Sequence, residues 1–230
     1  MKYHIEFDID FKRNKYKGIY IALEGTDGSG KTTQINALYE YFKKQGREVV
    51  RTREPRKEDG MIAGLVQQIL LGKTQVPSVA FQYLFSADRA MHQEELIIPS
   101  LQAGKVVISD RCFWSAVPYG MLDRGDVIGE DAKMRILAAQ SILSMYHQFI
   151  VPDHTFYLDI AVDEVWDRLQ EKVEDGELRE IYEKKEYIKK LRKGYNLLLQ
   201  EFPKEFVVIN AKKSVEEVTK EIIANIKDKK

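Results

Sequence analysis

The sequence predicts an α/β fold in which a doubly wound, five-stranded parallel sheet carries helices on both faces. Three observations predict it. Five short apolar runs, rich in Val, Ile and Tyr, are spaced along residues 18–210. Most of them lack the polar alternation of a strand facing water, as strands covered on both faces do. Segments of helical periodicity separate the runs, and strand–helix alternation implies crossover connections between parallel strands.

The strands are read as GIYIALEG (Gly18–Gly25), REVVRTRE (Arg47–Glu54), KVVIS (Lys105–Ser109), HTFYLDI (His154–Ile160) and EFVVIN (Glu205–Asn210). A helix over Lys31–Gln45 sets Ile35, Leu38 and Phe42 on one side and stops at Gly46, a C-cap residue. A second is expected over Ser214–Asp228. Its opening SVEE has capping-box spacing, and Val215, Val218, Ile222 and Ile226 form a stripe. Pro99 lies late in a helix that begins near LFSADR; it removes an N–H and is expected to bend that helix.

Two segments fit the alternation less simply. In residues 1–17, Tyr3, Ile5, Phe7, Ile9 and Phe11 alternate with polar residues. This extension reads as an extra, half-exposed β-strand, at the sheet edge or in a subunit contact. The domain proper is then 18–230. Arg168–Tyr195 is polar and charge-dense, and its residues alone read as a solvated helical hairpin.

Composition narrows the function. Lys plus Arg and Asp plus Glu both number 36, so no bulk field draws the chain to nucleic acid or an anionic membrane. No run approaches the ~18 apolar residues of a membrane helix. The amino terminus is charged rather than apolar as in a secretory signal. One cysteine cannot staple the fold, so the expectation is a reduced, cytoplasmic setting.

Chemistry enters with GTDGSGKT (Gly25–Thr32), which satisfies G-x-x-x-x-G-K-[ST] between an apolar strand and a helix. Gly25, Gly28, Ser29 and Gly30 let backbone N–H groups turn inward around an anion, and the helix adds its positive end. Lys31 is expected at the β- and γ-phosphates of a nucleoside triphosphate, and Thr32 at Mg²⁺. A GTPase would need N-K-x-D; the only NK stands upstream, at Asn14, without the Asp. A small kinase, with a donor cradle, an acceptor pocket and a lid, suits this length.

EGTDGSGKTTQ, TREP (Thr52–Pro55), LFSADRAMH (Leu84–His92), DRCFWSAVPYG (Asp110–Gly120) and VINAKKS (Val208–Ser214) occur in one order. In that order and spacing the chain resembles the thymidylate kinase family, P-loop enzymes that transfer phosphate from ATP to dTMP with Mg²⁺. The likeness runs from about Gly18 to the end. It implies the P-loop kinase form of the fold with a helical lid at about residues 168–182, and a homodimer. It further implies that Arg53 and Arg111 grip the acceptor phosphate and that Asp110, with Thr32, faces Mg²⁺. Phe85 would stack on thymine, with Arg89 at the base edge. Asp27 would meet the 3′-hydroxyl and Tyr119 wall the sugar, with Ser115 a further polar contact there. Thr33 extends the donor cradle, and the backbone near Ala211 would meet adenine.

The residues allow plainer readings beside these. Phe85 could be an ordinary core residue of an amphipathic helix, and Asp27 could stabilise its own turn. The chain also departs from the family pattern. Arg56 and Lys57 replace the two glycines usual after TREP, Cys112 stands where Tyr or His is common, and Gly120 where a base-contacting Gln often sits. Members of the family without an arginine in the P-loop place catalytic arginines in the lid; this P-loop holds none, so the resemblance implies Arg168 and Arg179, with Lys172 beside them, as the lid candidates. The rival functions are a kinase for another nucleotide or a deoxynucleoside, and a nucleotide-binding protein without turnover.

Overall fold

The computed structural model describes residues 10–57, 60–123, 132–174 and 184–227. Its strands are Lys12–Arg13 (β1), Ile19–Glu24 (β2), Val49–Arg53 (β3), Val106–Asp110 (β4), Ile150–Val151 (β5), His154–Asp159 (β6) and Val207–Asn210 (β7). Its α-helices are Lys31–Lys44 (α1), Met61–Leu70 (α2), Ser78–His92 (α3), Ile98–Gln102 (α4), Ala116–Asp123 (α5), Ala132–Leu143 (α6), Val162–Glu174 (α7), Lys185–Glu201 (α8) and Val215–Asn225 (α9). The five predicted strands form one five-stranded sheet of order β3-β4-β2-β6-β7. Every pairing in it is parallel.

The packing of β2 explains why its sequence shows no polar alternation. Ile19, Ile21 and Leu23 face Ile35, Leu38 and Phe42 of α1, while Tyr20 and Ala22 face Leu101, Trp114 and Tyr195 on the other side. All six β2 residues are buried, Glu24 included. Because the strands are parallel, Glu24, Arg53, Asp110, Asp159 and Asn210 end at one edge. The functional strings found in the sequence therefore emerge side by side.

Local chemistry sets most boundaries where the sequence puts them. Helix α1 ends at Lys44, and Gly46 takes φ 74°, the left-handed conformation that a glycine adopts cheaply. Ser214 caps α9 in a complete capping box with Glu217. Val218 and Ile222 are buried as expected, whereas Val215 is exposed. Pro99 acts differently from the expected bend. Residues Gln93–Ile97 form a π-helical turn, and Pro99 then falls in the first turn of α4, where its missing N–H costs little.

The extension and the charged segment also differ from their sequence readings. Tyr3, Ile5, Phe7 and Ile9 lie outside the described residues. Phe11 packs against Phe113, Trp114 and Phe202, and β1 pairs in parallel with β5. The second half of Arg168–Tyr195 is no solvated arm. Helix α8 buries Ile188, Leu191, Gly194, Tyr195 and Leu198. Its charged residues cover only the opposite face, which is how a polar sequence hides a core helix.

Helix α8 packs tightly on α5 at Gly194, where a Cβ would stand 2.7 Å from the Pro118 Cα. At Gly64 in α2 a Cβ would meet nothing within 4 Å. Alanine favours a helix over glycine by about 1 kcal/mol, so the two sites are expected to respond with opposite signs. Gly64→Ala should raise the urea unfolding free energy by about 0.5–1 kcal/mol. Gly194→Ala should lower it by about 1–2 kcal/mol, since overpacking outweighs propensity. Equal shifts at both positions would contradict the close packing of α5 and α8.

Candidate active site

One cleft of about 780 Å³ runs along the carboxyl edge of the sheet, within the range of ligand sites. Its floor is the turn between β2 and α1. Gly25, Gly28 and Gly30 have φ of 142°, 81° and 98°, conformations that strain any residue with a Cβ. The Lys31 ammonium donates to the Gly25 and Thr26 carbonyls at 3.1 and 3.0 Å and lies 3.8 Å from Asp110. Burial, aided by repulsion from Arg111, lowers its pKa from the usual lysine value. An anion entering the turn would favour the charged form.

The wall opposite comes from the ends of β3 and β4. Arg53 pairs in register with Asp110, so the two side chains sit on neighbouring strands. Arg53 Nε and Asp110 Oδ1 are buried without a hydrogen-bond partner among the described residues. Arg111 leaves β4 with φ 71°, unusual for a residue with a side chain and worth about 1 kcal/mol of strain. Its guanidinium donates to the Gly25 carbonyl, to the Tyr195 hydroxyl at 3.2 Å and to Asp27 at 2.6 Å, and it lies over the Tyr119 ring. Burial opposes ionisation of Asp27, yet the Arg111 and Lys31 cations outweigh it and hold the carboxyl well below the usual range.

Helix α3 supplies the far end. Phe85 is buried and lines the cleft. Arg89 stands over its ring at 5.4 Å and donates to Glu54 at 2.8 Å and to the Tyr146 hydroxyl at 3.1 Å. The buried arginine thus has the polar partner that burial demands. Arg56 ties the loop after β3 to Asp88 of α3 and to Glu95 in the π turn.

The structure brings most predicted site residues to this one cleft. Asp27, Gly28, Ser29, Gly30, Lys31, Thr32 and Thr33 line it with Arg53, Phe85, Arg89, Asp110, Arg111, Ser115, Tyr119, Arg168 and Ala211. Besides those whose partners are given above, two more are engaged within the protein. The Ser115 hydroxyl is held by Glu24 and Tyr195, and the Ala211 N–H donates to the Asp159 carbonyl. Arg168 reaches in from α7 and donates to the Gly28 carbonyl at 3.3 Å. Arg179 lies outside the described residues, as does most of the expected lid.

Two carboxylates, Glu24 behind the cleft and Glu54 in its wall, have no role in the sequence reading. Glu24 accepts from the Cys112 N–H, the Ser115 hydroxyl and the Tyr195 hydroxyl. Its signal was a lone acid ending a wholly apolar strand. Glu54 pairs with Arg89 and His92, whose other ring nitrogen meets the Thr52 hydroxyl at 2.6 Å. Burial opposes its ionisation, but His92 and Arg89 pull its pKa below the ordinary glutamate value.

A phosphate cradle facing two arginines and an aromatic pocket, at the carboxyl edge of a parallel sheet, defines a P-loop nucleotide kinase. The family model described as thymidylate kinase matches residues 23–222. A "probable thymidylate kinase" of Thermococcus kodakarensis is 37% identical over 216 residues, covering 90% of this chain and 97% of that one. A thymidylate kinase of Thermoanaerobacter sp. strain X514 is 36% identical over 212 residues, covering 92% and 98%. In fold, the chain is similar to the thymidylate kinase structure of Candida albicans, with TM-score 0.75, 23% identity and 90% of each chain covered. The chain belongs to the thymidylate kinase family, transferases that phosphorylate dTMP.

Cys112, the one cysteine, is buried behind this site. Burial and the neighbouring Glu24 push its thiol well above the ordinary cysteine pKa. The thiolate is the reactive form, so a thiol reagent at pH 8 should leave the native protein unlabelled and label one equivalent in guanidinium. Stoichiometric labelling of the native protein would show that Cys112 is not sealed.

Proposed function

We propose that the protein transfers the γ-phosphoryl group of ATP to the 5′-phosphate of dTMP, giving dTDP and ADP for dTTP synthesis. One observation carries this reading: the donor cradle and the acceptor arginines line a single cleft. A phosphate monoester is largely a dianion near neutral pH, so its oxygen attacks Pγ without a general base. The bond from Pγ to the bridging oxygen breaks, and its electron pair leaves with ADP. The obstacle is anion repulsion, which positioned cations offset.

In this reading Lys31 and the turn amides hold the donor phosphates. Arg53 and Arg111 hold the acceptor, and Arg168 reaches the charge that develops between them. Phe85 stacks on the base with Arg89 at its edge, Tyr119 walls the sugar, and Asp27 accepts from the 3′-hydroxyl. Mg²⁺ fits at Thr32 and Asp110, whose buried Oδ1 has no hydrogen-bond partner among the described residues, and there it would neutralise phosphate charge. Residues 18–230 act as one kinase domain with its lid near 168–182. A homodimer is supported by Val79 and Tyr83, which share an exposed stripe of α3 at 50% and 63% exposure. The buried free thiol of Cys112 suits a reducing cytoplasm.

A coupled assay across dTMP, dUMP, TMP, dCMP and thymidine should give the highest kcat/KM with dTMP; preference for thymidine would overturn the reading. Lys31→Ala should lower kcat by about a hundredfold or more while the protein stays folded, from loss of electrostatic stabilisation. Unchanged turnover would remove Lys31 from the cradle.

A further inference from the structure

Gln82 on α3 has no part in the roles given so far. It is 1% exposed and lines the cleft, and neither its Nε2 nor its Oε1 has a hydrogen-bond partner among the described residues. It precedes Phe85 by three residues and Arg89 by seven, and all three belong to the buried face of the helix. Its amide occupies space left by the missing side chain of Gly120. A Cβ there would stand 3.0 Å from both Cδ and Nε2 of Gln82, and 2.7 Å from Ile142 Cδ1. A buried carboxamide left without a hydrogen-bond partner is destabilising. Here it lies in the wall of a ligand cleft, one turn from the ring expected to stack on the base.

We propose that Gln82 reads the edge of the acceptor base, its Oε1 accepting from the ring N3–H while its Nε2 donates to the adjacent carbonyl. The proposal rests on the kinase reading above and adds to it the residue that selects a pyrimidine carrying a donor beside an acceptor. A carboxamide is the complementary pair and can make both bonds at once. Rotated by 180° it would serve cytosine equally well. Arg89, which only donates, removes that choice, because cytosine turns an amino group toward it. Gly120 enters as the position whose lack of a side chain admits the amide.

The test is a ligand cycle read by dTMP and N3-methyl-dTMP binding, with wild-type turnover of dTMP measured alongside. Wild type should bind dTMP about tenfold or more tightly than the N3-methyl nucleotide, the range for a buried hydrogen bond left unmade. Gln82→Ala, which leaves room for the methyl group, should lose about tenfold in dTMP affinity and bind the two ligands within about twofold. Affinity for ATP should not move. Gln82→Leu, close in volume, should melt no lower than wild type while losing the same dTMP affinity. A variant that keeps the wild-type preference for dTMP would overturn the proposal, as would a wild type that binds both ligands alike. Either result leaves the kinase reading standing if wild type still turns over dTMP. Absence of that turnover would instead remove the kinase reading itself.

Discussion

A buried guanidinium joins the two halves of this site. Arg111 stands at the end of β4, takes a backbone conformation that few side chains tolerate, and spends its donors on the Gly25 carbonyl, the Asp27 carboxylate and the Tyr195 hydroxyl. It thereby fixes the phosphate-binding turn to the acceptor wall. A cation this deep would be costly alone. Asp27 and the carbonyl make it affordable, and removing one partner would leave the other charge uncompensated.

Behind that contact lie two layers that make the geometry rigid. Glu24 gathers four donors from the loop after β4 and from α8, so β2, that loop and α8 share one buried acceptor. Glu54 does the same for Arg89 and His92 of α3. Each hydrogen bond is worth about 1 kcal/mol net, but an unpaired member would cost about 1–3 kcal/mol. The networks therefore act less as a source of stability than as a penalty on every arrangement except this one. Arg56 extends the rule. Its side chain is bound to Asp88 and Glu95, which fastens the loop after β3 to α3.

Features dictated by local backbone chemistry were legible in the sequence. The glycines and lysine of the phosphate turn, the capping box at Ser214 and the apolar strands all specify their own conformation within a few residues. The parallel sheet brings their neighbours together, and Arg53, Asp110 and Arg111, which the resemblance had grouped, stand at the ends of adjacent strands. What the sequence hid depends on distant partners. Glu24 and Tyr195 are 171 residues apart, and no periodicity announces that they meet. Helix α8 hid its core stripe among charges. The left-handed Arg111 gave no local sign, since nothing in its neighbours requires a positive φ. Composition misled in one respect. Charges balance over the chain at 36 of each sign, yet cations outnumber carboxylates along the cleft.

That local imbalance, with the polar atoms left unpaired around it, indicates how stability and function are divided. Arg53 Nε, Asp110 Oδ1, Ser29 Oγ and both amide atoms of Gln82 are buried without hydrogen-bond partners among the described residues, and their side chains line one cleft. Each such group costs about 1–3 kcal/mol, against a typical net stability of about 5–15 kcal/mol. A sequence under no functional constraint would replace them with apolar residues. Those that line the cleft are groups a bound nucleotide could satisfy: Arg53 Nε, Ser29 Oγ and the Gln82 amide by hydrogen bonds, and Asp110 Oδ1 by a donor or a cation. Ligand affinity and ligand-induced stabilisation are then one quantity seen from two sides. The cations of the turn and the strand ends repel one another until phosphate charge arrives between them.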